Sequence, residues 1–273
     1  MKLATIRTPE GTRAARLTDD GYAELDFPDV GALLAAGDPA TAAGGAVHPL
    51  RGTALAPVVP HPGKVLCVGL NYRNHILEMG RDLPEYPTLF AKFADALIGP
   101  RDDIALAPES SAVDWEAELT VVVGKTVRRA SEQEAEQAIA GFTVMNDVTM
   151  RDWQFRTKEW LQGKTFEGTT PLGPVLVTPD ELPGGLRPSL SMTCAVNGEI
   201  VQKADTSDLV FGPVDLVRYA STIITLRPGD IIATGTPGGV GHARKPPRYL
   251  AEGDTVVTEI AGIGRLENTA KAG

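Results

Sequence analysis

Cysteine is nearly absent from the 273-residue sequence: Cys67 and Cys194 stand alone in the apolar runs KVLCVGL and SMTCAVNGE. Neither has a neighbour at metal-finger or redox-motif spacing, which excludes a disulfide framework, a zinc ribbon and a dithiol catalyst, and leaves two core thiols as the expectation. No apolar run approaches the roughly 20 residues of a membrane span, and the start, MKLATIRTPEGTRAARL, has no apolar signal core. A soluble cytoplasmic protein without a membrane partner is expected. Positive charge is also short: 26 Lys and Arg against 35 Asp and Glu give a net charge of -9, the wrong sign for gripping a nucleic-acid backbone. The glycine-rich TGTPGGVG (234–241) is followed by HARKPP, which cannot start a helix, so a Rossmann or P-loop phosphate site is excluded. Its backbone N–H groups, Gly235 among them, can still cradle a carboxylate, or the glycines serve only a tight turn.

What the chain does have is turn formers. With 29 Gly, 21 Pro and 42% hydrophobic residues, it reads as many short strands around one sizeable core, a β-rich α+β protein with few short helices. The Pro-rich stretch APVVPHPGK (56–64) has linker composition. It separates a small N-terminal domain (1–58) from a main domain (62–270). In the latter, KVLCVGL reads as a buried strand and NYRNHILEMG as a helix with Asn71 or Asn74 as cap and Gly80 as stop. SEQEAEQAIAG carries a capping box, Ser131 with Glu134, and Gly141 is expected to close that helix. Asn197-Gly198 between β-branched runs signals a hairpin, and PVDLVRYASTII a helix.

The stretch DWEAELTVVVGK (114–125) poses the chemical question. In a strand alternate residues share a face, so Asp114, Glu116 and Glu118 would crowd like charges together. Either that face meets water, as Asp114 is expected to, or a cation sits against it. Asp147 follows the strand-like FTVM. Three carboxylates with no His or Cys nearby favour a hard divalent ion, Mg²⁺ first, with Mn²⁺ or Ca²⁺ as alternatives, and leave coordination positions open. His75 and Glu78 lie three apart, on one face of the expected helix; a carboxylate that orients an imidazole makes a general base, whereas the bland reading is a surface contact. Lys164, among turn residues, reads alone as a solvated charge. His48, His61 and His242 read as incidental.

In order and spacing, CVGLNYRNHILEMG, PTLFAKFADALIGP, DWEAELTVVVGK, GFTVMNDVTMRDWQ, GKTFEGTTPLGP, VNGEIVQ, LRPGDIIATGTPGGVG and GIGRLEN resemble the fumarylacetoacetate hydrolase family, in the branch of acylpyruvate and fumarylpyruvate hydrolases, oxaloacetate decarboxylases and homoprotocatechuate-pathway isomerases. The resemblance runs from about 63 to 270. It implies a rolled mixed β-sheet, a homodimer, metal ligation by Glu116, Glu118 and Asp147, and a water-activating His75–Glu78 dyad on a segment that orders over the substrate. Arg151, Gln154 and Lys164 match groups facing the substrate, and Thr236, next to Gly235, matches a carboxylate contact. Two departures, Phe93 after Lys92 and Glu167 in KTFEG, mark a subgroup.

The expectation built on these residues is a metal-dependent hydrolase that cleaves a carbon–carbon bond in a small 2,4-dioxo acid. Glu78 would hold His75 for attack by water, Lys164 with Gln154 would support the oxyanion, and the divalent ion would stabilise the enolate. Arg244, Lys245 and Arg248 are expected to read a distal carboxylate. The alternatives are an oxaloacetate-type decarboxylase, a 2-hydroxyhepta-2,4-diene-1,7-dioate-type isomerase, or a non-catalytic module that binds metal and oxo acid.

Overall fold

Ala117–Val123 is buried along its whole length, so AELTVVV reads as an unbroken apolar run because both faces of the strand are covered. The computed structural model describes residues 1–273. It places this strand inside an 11-stranded mixed sheet, between Ile139–Asn146 on one side and Ile231–Ala233 on the other. Most pairs are antiparallel; Ile231–Ala233 runs parallel to Val65–Gly69. A five-stranded sheet, with Ser191–Val196 and Thr255–Ile260 at its centre, packs against the first. Neither sheet closes on itself, and the architecture is the β-rich α+β class expected.

Alternation along the central strand decides where the core lies. Leu119, Val121 and Val123 enter a 40-residue apolar cluster shared with Met192, Val196 and Val256 of the second sheet. Val122 points the other way, into a 17-residue cluster with Val65, Cys67 and Met145. Truncating a side chain such as Leu119 to Ala would cost about 2–5 kcal/mol, the usual sum of lost transfer energy and residual cavity. Residues 1–58 contribute to the smaller cluster through Leu3, Leu25 and Leu33. The strand Lys2–Thr8 joins the large sheet beside Thr170–Val177, with Leu3 opposite Leu176. Val58 and Val59 of the Pro-rich stretch are buried at this seam.

Several local expectations hold. Ser131 and Glu134 form the capping box of Glu132–Ala138, Asn197 and Gly198 turn at positive φ between Val196 and Glu199, and Pro213–Ile223 is the longest helix. Two do not. The helix Arg73–Glu78 starts at Tyr72 without a side-chain cap, because Asn71 is turned inward and bonds Phe211 and Thr234. Gly141 closes no helix: it lies inside the strand Ile139–Asn146, where a Cβ would collide with the carbonyl of Val177. Both thiols are buried and free. No helix is long and apolar enough to cross a membrane.

Candidate active site

The face that carries Val122 also carries Thr120, Glu118 and Glu116, so polarity rises along one side of one strand toward its start. The antiparallel neighbour supplies the rest. Glu118 stands opposite Met145 and Ala117 opposite Asn146; two residues past Met145, Asp147 arrives on the same face, its N–H donating to the Glu116 carbonyl at 2.8 Å. Ligand oxygens of Glu116, Glu118 and Asp147 lie within 4.8 Å of one another, and all three residues are buried. Asn146 Oδ1 accepts from the Glu116 N–H at 2.9 Å, pinning the strand between them.

Three cations are packed into this cluster. Lys164 Nζ donates to Glu116 Oε2 at 2.7 Å and to Asp147 Oδ2 at 2.8 Å. Lys92 Nζ reaches Asp147 Oδ1 at 2.6 Å, and Arg151 Nη2 reaches Glu116 Oε1 at 2.6 Å. Glu118 has no cationic partner; its Oε2 accepts the Gly235 N–H at 2.7 Å. Electrostatics follow from that inventory. Burial raises the Asp147 pKa, but Lys164 and Lys92 outweigh it and bring the group below the ordinary carboxylate range. Burial, then the charges of Asp147 and Glu116, push Glu118 well up. Burial alone would lower Lys164, yet Asp147 and Glu116 raise it above a free lysine.

Asp114 stands apart from the trio. The expectation that it meets solvent is overturned: it is fully buried. The chain turns after Val113–Asp114, which pairs with Thr149–Met150 instead of continuing the central strand. Its oxygens accept from Arg151 Nε at 2.8 Å and from the N–H groups of Gly241 at 2.7 Å and His242 at 2.9 Å. Asp114 thus aims Arg151, whose Nη1 also donates to Gln154 Oε1 at 2.9 Å. Counting Asp114, four buried carboxylates face three buried cations.

A divalent ion suits this donor set. Its oxygens are hard, each keeps lone-pair capacity beyond the bonds described, and Glu118, the carboxylate with no counter-ion, is the one whose ionised form a cation would favour. Glu116, Glu118 and Asp147 are the residues that would hold it.

A cavity of about 330 Å³ is floored by Glu116, Arg151 and Lys164, with Phe90, Phe155 and Trp160 as apolar walls and His75, Gln154 and Thr236 reaching in. Phe90 and Trp160 meet edge to face at 5.4 Å. Gly69 is obligatory beneath Trp160, since a Cβ there would strike the indole ring. His75 is half-buried, and burial lowers its pKa, with Glu78 and Glu116 opposing in part. The expected hydrogen bond between His75 and Glu78 is not formed. Both approach Gly238, where an added Cβ would lie 3.1 Å from His75 Nδ1 and 3.7 Å from Glu78 Oε2, and both line a neighbouring cavity with Asp205 and Asp208, but only His75 also reaches the first cavity.

The idea that Arg244, Lys245 and Arg248 read a distal carboxylate also fails. Arg244 and Arg248 are both bound by Glu199 on the outer surface, and none of the three lines the cavity. Arg81 does. Sequence reading also missed Lys92, Gln202 and the lining role of His242, which stacks on Phe155 at 5.3 Å and bonds Tyr249. Lys92 left a usable trace, a single lysine in the apolar strand Thr88–Lys92 that is itself buried.

Known proteins are similar in sequence and fold. A family profile, Fumarylacetoacetate (FAA) hydrolase C-terminal, matches residues 64–271. The chain is 48% identical over 217 residues to the mitochondrial oxaloacetate tautomerase Fahd2a of Rattus norvegicus, covering 79% of this chain and 68% of that protein. The human counterpart, FAHD2A, is 47% identical over 218 residues, with the same coverage of 79% and 68%. Among solved structures, a fumarylacetoacetate hydrolase from Exiguobacterium antarcticum superposes with a TM-score of 0.87 at 31% identity over 100% of both chains. A 5-carboxymethyl-2-hydroxymuconate delta-isomerase from Mycobacterium smegmatis gives 0.82 at 31% identity, again over 100% of both.

Proposed function

The chain belongs to the fumarylacetoacetate hydrolase family, and from that premise we propose that it is a divalent-metal-dependent enzyme that interconverts the enol and keto forms of a short 2-oxo dicarboxylic acid of the oxaloacetate class. The observation that carries this reading is a half-buried imidazole, His75, sharing one cavity with Glu116 of the acidic cluster and with Lys164 and Arg151, the cations that hold it. Relatives at 47–48% identity are named oxaloacetate tautomerases, and a solved structure of the same fold is titled an isomerase. These favour proton movement over the hydrolysis expected from the motifs.

Tautomerisation moves a proton between C3 and the 2-oxo oxygen, and the difficulty is the negative charge that passes through that oxygen. A divalent ion held by Glu116, Glu118 and Asp147 would supply Lewis-acid polarisation of the 2-oxo group. The protein does the rest. A lowered pKa keeps His75 neutral near pH 7, able to take the C3 proton; the nearby carboxylates of Glu78 and Glu116 favour the imidazolium, which returns that proton to the 2-oxo oxygen. Lys164 stays charged, so it is no base; two of its three donors are committed to Glu116 and Asp147, and the third serves the developing oxyanion. Arg151, held by Asp114, keeps positive potential beside the floor. Arg81 lines the same cavity without any ion pair of its own and is the free charge for a second carboxylate.

Hydrolysis of a 2,4-dioxo acid is the second reading, favoured by the proximity of Glu78 to His75. One assay separates the two. Metal-loaded protein is mixed with enol-oxaloacetate while enol absorbance and carbon dioxide are followed, and separately with acetylpyruvate. The proposal expects accelerated loss of the enol, little carbon dioxide and intact acetylpyruvate. Diketone cleavage without enol turnover would replace it with the hydrolase.

A further inference from the structure

Gln202 lies in the strand Glu199–Asp205 of the smaller sheet, outside the cavity and nearly fully buried, yet its amide touches the site from behind. Oε1 accepts the Ala117 N–H at 2.9 Å. Nε2 donates to the Pro237 carbonyl at 3.0 Å and to Thr236 Oγ1 at 2.8 Å. Two of these partners act in one direction only: a peptide N–H can only donate and a carbonyl can only accept. The amide therefore has one permissible orientation, and the ambiguity that usually attends a glutamine is removed.

The consequence falls on Thr236. Its hydroxyl oxygen must receive a hydrogen from Gln202, so its own proton has to point elsewhere, and Thr236 lines the cavity. We infer that Gln202 is a positioning residue, an amide clamp that fixes the Thr236 hydroxyl as a hydrogen-bond donor aimed at an anionic oxygen of the bound oxo acid. It also ties that loop to the peptide between Glu116 and Glu118. The inference rests on the functional reading only in taking an oxo acid as the ligand of the cavity; it does not depend on which reaction follows. A threonine hydroxyl that is free to rotate offers a substrate either a donor or a lone pair. A clamped one has one lone pair already filled and cannot turn its proton back toward Gln202, which biases it toward donation and so toward carboxylate and 2-oxo oxygens.

The test measures oxalate binding to magnesium-loaded protein by calorimetry, oxalate standing in for the carboxylate and adjacent oxo oxygen. Gln202→Met and Thr236→Val are each expected to weaken oxalate about tenfold, the usual weight of one hydrogen bond to a charged group. The double variant is expected to bind no more weakly than either single one, because both remove the same donor. Thermal unfolding of each variant separates lost binding from a folding defect. Gln202→Glu keeps the shape and an acceptor for Ala117, but when ionised it takes the Thr236 proton for itself and sets an oxygen against the Pro237 carbonyl, so it should weaken oxalate at least as much. Oxalate affinity within twofold of wild type in Gln202→Glu, or single-variant losses that multiply in the double variant, would overturn the clamp. Enol turnover on the same samples keeps the two proposals apart. Absent turnover with the non-additive binding pattern intact removes the tautomerase reading and leaves the clamp standing.

Discussion

The strand pair that bears Glu116, Glu118 and Asp147 and the short helix that bears His75 face one cavity, yet they are held by opposite means. The carboxylates sit on or beside covered strands, in fixed register, each tied through at least one oxygen to a lysine, an arginine or a backbone N–H. Arg73–Glu78 spans six residues, has no side-chain cap, and buries only Ile76; most of its other side chains are exposed. The strand pair can unfold only with the core. The helix can open at small cost, since few buried contacts hold it. A site divided in this way keeps its charge cage assembled while His75, the proposed base, can adjust to a substrate.

The comparison is sharpened most by deleting a group from the rigid half. Glu118→Gln removes the carboxylate without a counter-ion, and turnover should fall by more than about three orders of magnitude, since metal-borne charge stabilisation is worth several kcal/mol. Near-normal turnover would mean that the trio is structural. On the mobile half, His75→Ala should lower kcat by about two to four orders of magnitude while the variant still binds magnesium, the range of a lost general base. The pH profile gives the sign: the reactive imidazole is the neutral form, so wild-type kcat drops as pH falls through a pKa below the ordinary histidine value of about 6.5. In His75→Ala that acid limb should vanish.

Asp114→Ala tests rigidity itself. It leaves Arg151 with Glu116 as its only charged partner and the N–H groups of Gly241 and His242 without their acceptor, and urea denaturation should report a loss of about 3–5 kcal/mol, the usual cost of breaking one side of a buried pair. The smallest effect belongs to the edge of the mobile half. Arg81→Gln should raise KM for oxaloacetate about tenfold to a hundredfold with kcat little changed, and leave a monocarboxylic 2-oxo acid unaffected. Equal loss for both acids would place Arg81 outside substrate recognition.

The same division explains what the sequence disclosed. Alternation of Glu116 and Glu118 before three valines announced a charged end on a covered strand, because period-two geometry survives any tertiary detail. The Ser131 box and the Asn197-Gly198 turn were legible because their chemistry is local. Asp114 was misread since alternation carries no mark of the turn at Trp115, where the chain leaves the sheet and the carboxylate meets backbone N–H groups 127 and 128 residues away. Gln202 was invisible for a like reason: a glutamine in VNGEIVQ acquires meaning only when the second sheet brings it to Ala117. The His75–Glu78 spacing was correct for a shared helical face, but the pair stays unbonded, and helical spacing alone does not set side-chain direction.

The central claim is that the buried trio binds a divalent cation on which the oxo acid is received. Calorimetric titration of magnesium or manganese into wild-type and Glu118→Gln protein tests it most directly. The account predicts one saturable site per chain in the wild type, abolished or strongly weakened by the substitution with the fold intact by circular dichroism. Equal binding by both proteins, or no binding by the wild type, would contradict it.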